Sequence, residues 1–206
     1  MTDHDLTLPL GEDDIRSLKM GDRVFLTGEI FATAGIPTHD RMLDCLDRNA
    51  PLPFDMQGGA LFHLGTLNET DPDGSQRVLY MNPTTSTRFN AHMPRLIPGL
   101  GLRATGGKGG LDAACAQVMA RQGCVYLSFL GGGAPILTDA IRRITGIGWP
   151  DMISHYRIVR MEVERLGPLT VGIDASGNSI YDLSREQATQ RRAAIIAELR
   201  QARESG

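Results

Sequence analysis

The chain has 206 residues, is 41% hydrophobic and 5% aromatic, and carries a net charge of −3. That length suits one domain with a real core, and its dispersed basic residues leave no nucleic-acid footprint. No apolar run approaches the ~18 residues that a membrane span needs, the acidic start Met1-Thr2-Asp3-His4-Asp5 lacks a signal-peptide core, and three scattered cysteines, Cys45, Cys115 and Cys124, form no disulfide framework or zinc motif.

Residues 1–20 read as a polar tail, with Leu8-Pro9-Leu10 as an edge strand and one helical turn at 12–18. After the Gly21-Asp22 turn, 23–30 alternates as a strand, with Val24, Leu26 and Ile30 on one face. The loop 33–40 enters a helix with Thr38 as its expected N-cap, an apolar stripe at Met42, Leu43 and Leu46, and Pro51 as its limit. His39 falls in the first helical turn, where the dipole disfavours a charged imidazole. Neutral, it can hydrogen-bond in a site; the plainer reading is a surface histidine. Segments 60–65 and 77–81 read as strands of a hairpin around a polar turn containing Pro72-Asp73-Gly74.

The stretch Met81-Asn82-Pro83-Thr84-Thr85-Ser86-Thr87-Arg88 carries the chemistry. The run Val78-Leu79-Tyr80 before it reads as a short buried strand, which Pro83 ends because it lacks an N–H. Thr85 or Ser86 is placed to cap a helix reaching about Met93, with Arg88 in its first turn. A helix start offers free N–H groups and partial positive charge, so with Arg88 it suits a carboxylate or phosphate. Next, 106–110 sets Lys108 among four glycines, as an anion site or merely a flexible loop. It is no nucleotide P-loop: the positions that motif reserves for glycine and for Ser or Thr hold Leu102 and Gly109.

Residues 111–122 pattern as a helix stopped by Gly123, and 124–130 as a strand followed by the glycine turn 131–135. A helix is expected at 136–145, strands at 156–163 and 169–173 on either side of Gly167-Pro168, and a turn at 174–178. A charged helix at about 185–203 has Ala193, Ile196 and Leu199 on its inner face. Strands alternating with helices and hairpins predict an α/β fold with a mixed sheet, in a single domain over 1–206 with a polar tail at about 1–10. Ligand-bearing loops are expected after strands, here at 33–41, 82–88 and 105–110.

These loops resemble the C-terminal domain, or separate β subunit, of the class I, iron–sulfur-dependent fumarase and L-tartrate dehydratase family. The markers are Gly21-Asp22-Arg23-Val24-Phe25-Leu26-Thr27-Gly28, Pro83-Thr84-Thr85 with Arg88, Gly107-Lys108-Gly109, Gly131-Gly132-Gly133-Ala134 and Asp174-Ala175-Ser176-Gly177-Asn178. Each is weak alone; their order and spacing are specific. The resemblance implies a three-layer β/β/α swivelling domain and a hydro-lyase acting on a small hydroxy-dicarboxylate of the malate or tartrate type. It implies a 4Fe-4S cluster in a partner α subunit, no cofactor or metal on this chain, a hetero-oligomer without nucleic acid or membrane, and a cytoplasmic setting. By the same resemblance Thr84 is the base, and Thr85, Ser86, Thr87, Arg88, Lys108 and His39 bind substrate. Where the family carries Arg-Asp this chain has Gly35-Ile36, with Arg41 or Arg103 as candidate replacements. The alternatives are a non-catalytic anion-binding or regulatory domain of the same fold and a phosphate- or nucleotide-binding enzyme using the lysine loop.

Overall fold

The computed structural model describes residues 1–132 and 134–204, so Gly133 of the second glycine turn lies outside the described residues. The chain runs β1 (Asp3–Thr7), α1 (Glu12–Ser17), β2 (Arg23–Ala32), α2 (Ile36–Arg48), β3 (Ala60–Phe62), β4 (Leu64–Thr70) and β5 (Gln76–Pro83). A 3-10 turn (Ser86–Phe89) precedes α3 (Met93–Gly99), β6 (Ala104–Gly107), α4 (Ala113–Gln122) and β7 (Val125–Ser128). Then come α5 (Ala134–Thr138), β8 (Ile141–Gly148), a 3-10 turn (Ser154–Tyr156), β9 (Ile158–Ile173) and α6 (Ile180–Glu204). The result is a mixed α/β fold with a mixed sheet.

The main sheet is ordered β1-β2-β3-β6-β7-β9-β8, and β2 also pairs with β9. Strands β2, β3, β6 and β7 run parallel, while β9 is antiparallel to both β2 and β7, so the pairings close into a ring. Inside it pack Val24, Leu26, Ala60, Phe62, Val125 and Leu127. Their neighbours Leu61 and Tyr126 face outward and pack with Met42, Phe89, Met93, Leu96, Cys115 and Met119 of the helical side. This period-two alternation gives β3 and β7 two buried faces. The β4–β5 hairpin is a second sheet whose base, at Leu64 and Met81, packs into the core, with Val78 against it.

Several sequence expectations are corrected. The N-terminal tail is a strand: β1 lies parallel to β2, Arg23 binds Asp3 at 2.7 Å, and Thr2 N–H donates to Asp22 at 2.8 Å. Leu8 and Leu10 are core residues beyond its end, not an edge strand. Helix α2 is capped by Gly35 and carries Pro37 in its first turn, so Thr38 is a buried helical residue and not the cap. Leu79 and Tyr80 are about half exposed while Val78 packs against the core, so that run is a half-buried strand and not a buried one. The helix expected at 136–145 is a short α5 followed by β8, since Ile141, Ile144, Thr145 and Ile147 are β-branched and an edge of β9 is open to them. The two expected late strands are one 16-residue strand, β9, whose registry with β8 and β2 shifts at bulges.

Helix α6 begins at Ile180, earlier than expected, and Tyr181 anchors it edge-on to Tyr126. Every residue from 183 to 203 is exposed, so Ala193, Ile196 and Leu199 form no inner face within this chain. The 174–178 turn is clamped by Asp174, whose carboxylate accepts from the N–H groups of Ser176, Asn178 and Met20.

Gly106 marks the tightest point of the sheet, where a Cβ would fall on the Leu127 carbonyl oxygen of the neighbouring strand. Gly106→Ala is expected to cost about 3 kcal/mol, the upper end for overpacking, read as a lower urea midpoint at unchanged m-value.

Candidate active site

Two loops meet at the ends of β5 and β6. Pro83 closes β5, and the next N–H, that of Thr84, donates to the His63 carbonyl at 2.9 Å. His63 in turn donates its own N–H to Gly106 of β6 at 2.7 Å. Beyond β6 the Lys108 N–H donates to the Thr84 carbonyl (3.0 Å), and the Ser86 N–H donates to the Lys108 carbonyl (2.8 Å). Residues 84–86 and 108 therefore form one short parallel bridge. Gly107 permits the approach: a Cβ there would collide with Ser86 Oγ and stand 3.0 Å from the Thr84 carbonyl oxygen. The glycine–lysine segment is thus packed, and the flexible-loop reading fails.

The expected helix from 85 or 86 to 93 is divided. A 3-10 turn capped by Thr85 holds Ser86–Phe89, and α3 starts separately at Met93. Arg88 lies in the 3-10 turn, exposed, with Nη1 3.5 Å from Thr84 Oγ1. Lys108 is half-buried and makes no ion pair among the described residues. Thr84, Arg88 and Lys108, from separate parts of the sequence, therefore share one place. Thr85 is half-buried beside Gly109, and Thr87 is exposed on the 3-10 turn.

Thr84 and Lys108 line an open cleft of about 410 Å³. The rest of its wall comes from Tyr80, Asn82 and Pro83 of β5, from Gly65, Thr66 and Leu67 of β4, and from Ala34, Ser154 and His155; no carboxylate lines it. A larger cleft of about 460 Å³ contains none of the expected residues. Its charged groups are Glu29, Asp55, Glu162 and Arg143, and the last two bind each other at 2.5 Å, so it suits an acid poorly.

Ser86 and His39 stand behind the site. Ser86 is fully buried; its Oγ accepts from the Tyr126 hydroxyl (2.8 Å) and lies 2.8 Å from His63 Nδ1, while Gly110 N–H donates to that hydroxyl at 3.3 Å. With its oxygen so engaged, Ser86 fixes the 3-10 turn from inside and does not face the cleft. His39 is no surface residue either. Its Nδ1–H donates to the Gly35 carbonyl at 2.6 Å and its ring stacks on Phe89 at 4.1 Å, so Nε2 is a bare, buried acceptor. Burial pushes its pKa down to about 4, and burial drives His63 well below the usual imidazole range. Both rings are neutral near pH 7.

Neither candidate replacement for the missing arginine is available. Arg41 binds Asp151 at 2.7 Å and covers the Trp149 ring. Arg103 donates to the Gln122 and Gly123 carbonyls at the opposite end of β6. The sequence reading passed over His63, Tyr126 and His155. The first two sit in ordinary strand patterns, and Ser154-His155-Tyr156 belongs to no motif; only the fold brings them here.

The chain matches the family model described as Fumarase C-terminus over residues 2–184. The chain belongs to that family. A Methanocaldococcus jannaschii protein provisionally named L(+)-tartrate dehydratase subunit beta is 33% identical over 174 residues, covering 84% of this chain and 88% of that one. The L(+)-tartrate dehydratase subunit beta of Escherichia coli K12 is 26% identical over 194 residues, 94% of each chain. A Geobacillus stearothermophilus protein provisionally named fumarate hydratase class I is 31% identical over 182 residues, 86% of this chain and 33% of that longer protein. In this member of the Fumarase C-terminus family the site residues fit no iron–sulfur cluster. The cysteines lie on α2, on α4 and just before β7, all buried. Burial pushes the Cys115 thiol up to about 12 and the Cys124 thiol higher still, which disfavours the thiolates that a cluster needs. Among the described residues no three His, Cys, Asp or Glu side chains gather to hold a metal.

The buried histidines make stability depend on pH. A histidine whose folded pKa lies below its unfolded value leaves stability complete above about pH 6.5 and erodes it as pH falls towards the folded pKa. For His39 that window runs from 6.5 down to about 4 and is worth about 3 kcal/mol at about 1.4 kcal/mol per pH unit. Urea unfolding across this range is expected to show the loss, and His39→Leu to shallow the slope by about one proton.

Proposed function

We propose that this chain is the β subunit of a hydro-lyase that reversibly dehydrates a small hydroxy-dicarboxylate of the malate or tartrate type. The observation that carries this reading is the bridge between 84–86 and 108, which brings Thr84 and Lys108 to one cleft lined by no carboxylate, with Arg88 Nη1 3.5 Å from the Thr84 hydroxyl. The names of the relatives agree with it. In this reading Thr84 Oγ takes the carbon-bound proton. A threonine hydroxyl is a weak base, and the Arg88 guanidinium beside it together with Lys108 stabilises the alkoxide form. A guanidinium also pairs a carboxylate in two-point fashion, while Lys108 acts as a point charge. The hydroxyl that leaves is handled by a partner α subunit, to which we assign the 4Fe-4S cluster, since the thiols of this chain do not fit it.

We read the layering as the three-layer β/β/α swivelling domain. Two apolar clusters on opposite faces of the sheet, one of them covered by α2, α3 and α4, support it. A cytoplasmic setting is supported by three free, buried cysteines. Among the described residues no helix is long and apolar enough to cross a membrane.

The test is co-expression with a cluster-bearing partner subunit and a screen of malate, fumarate and the tartrates. Thr84→Ala is expected to lower kcat by roughly 10²–10⁴-fold, the usual range for a lost general base, while the subunits still co-purify. Lys108→Ala and Arg88→Ala are expected to raise KM and, with the alkoxide less stabilised, to lower kcat as well. Unchanged kinetics in all three variants would remove the assignment.

A further inference from the structure

The wall of the cleft facing Thr84 is built by an unusual contact. The Tyr156 ring lies directly on Gly35: a Cβ at that position would stand 2.6 Å from Tyr156 Cδ1 and 2.7 Å from Thr38 Oγ1. Position 35 therefore accepts no side chain. The turn Ser154–Tyr156 occupies the space and is tied down by the backbone of its neighbour. Ala34 N–H donates to the His155 carbonyl at 3.3 Å. The Thr38 hydroxyl donates to the Tyr156 carbonyl, which Thr33 Oγ1 also approaches at 3.5 Å. These bonds come from the main chain of 155 and 156, so the His155 ring is left exposed and lines the cleft with Ser154. Strand β4 runs between the two walls, paired with β5 beside Thr84 and packed by Gly65 near Ala34.

We infer that His155 is the second acid-binding group of this cleft, so that the site takes a small molecule with two carboxylates, one at Lys108 and Arg88 and the other on the His155 ring. The inference rests on the proposed function and adds the group that recognises the far end of the substrate. An imidazole presents a ring N–H in either tautomer and a positive charge when protonated. Lys108 supplies the fixed charge lining the cleft. Arg41 and Arg103, the arginines that sequence reading offered for this task, are held elsewhere by Asp151 and by the carbonyls of Gln122 and Gly123. The Gly35 position is thus no loss of a binding group. It is the seat that brings His155 in.

The experiment uses the co-purified complex with its partner subunit, with succinate as the diacid probe and butyrate as the monoacid of equal length, both measured by calorimetry near neutral pH. The unaltered complex is expected to prefer succinate by roughly tenfold or more, the worth of a charge-assisted hydrogen bond. His155→Ala should bring the two acids within about twofold of each other with butyrate affinity unmoved, and His155→Arg should restore the preference. In turnover His155→Ala should raise KM and spare kcat. His155→Gln serves as a second variant that keeps a polar side chain without the imidazole ring. A succinate preference unchanged in His155→Ala or in His155→Gln overturns the inference, as does an unaltered complex that binds the two acids alike. Thr84→Ala in the same complex separates the two ideas. Full turnover there overturns Thr84 as the base of the proposed function, and an unaltered complex that turns over none of the hydroxy-dicarboxylates overturns that function itself, whereas lost turnover in Thr84→Ala beside an unchanged succinate preference in His155→Ala overturns this inference alone.

Discussion

Two backbone hydrogen bonds, Lys108 N–H to the Thr84 carbonyl and Ser86 N–H to the Lys108 carbonyl, join the end of a hairpin to the end of a sheet strand. The hairpin otherwise belongs to a separate two-stranded sheet. Without this bridge, Thr84 and Arg88 would follow the hairpin and Lys108 would follow the main sheet. The bridge needs the missing side chain at Gly107, because any Cβ there would displace Ser86 and the Thr84 carbonyl. It also needs the buried Ser86 hydroxyl to be satisfied, a task shared by Tyr126 and His63. A backbone-to-backbone link positions side chains without using them, so both Thr84 and Lys108 keep their functional groups for the cleft.

The cluster behind the bridge is costly by the same logic. Among the described residues, His39 and His63 each leave a ring nitrogen buried and unpaired around Phe89. Burying polar atoms in this way lowers stability, and it also holds both rings neutral. A neutral aromatic packing surface beneath the 3-10 turn leaves Arg88 and Lys108 free of a competing positive charge from below. The cleft above gains its electrostatic character from the residues that line it.

Much of this was legible in the sequence because it rests on local chemistry. Pro83 had to end β5, Gly123 had to end α4, and the strict alternation of 23–30 had to give a strand buried on one face at least. The order of the threonine, arginine and lysine loops carried the family resemblance, and the fold brings those loops together. What stayed hidden depends on partners distant in sequence. Residues 141–148 carry too weak a periodicity to announce a strand; the open edge of β9 decides it. His39 reads as a surface residue until Phe89 and His63 close over it. His155 has no local pattern at all, and its place is set by a glycine 120 positions earlier that yields its space to Tyr156.

Helix α6 leaves the body after its first turns, with Tyr181 as the last firm attachment and every side chain from 183 to 203 in solvent. Its outer length is therefore governed by the rules of a peptide in water. Nucleation is supplied by the anchored end, and propagation relies on alanine content and on bonds between successive turns, such as Thr189 Oγ1 to the Arg185 carbonyl. Unwinding of residues 183–203 breaks no contact with the core, so the amides there should exchange with solvent long before those of the sheet. The first cut by a protease would fall in this arm and leave the threonine–lysine bridge untouched.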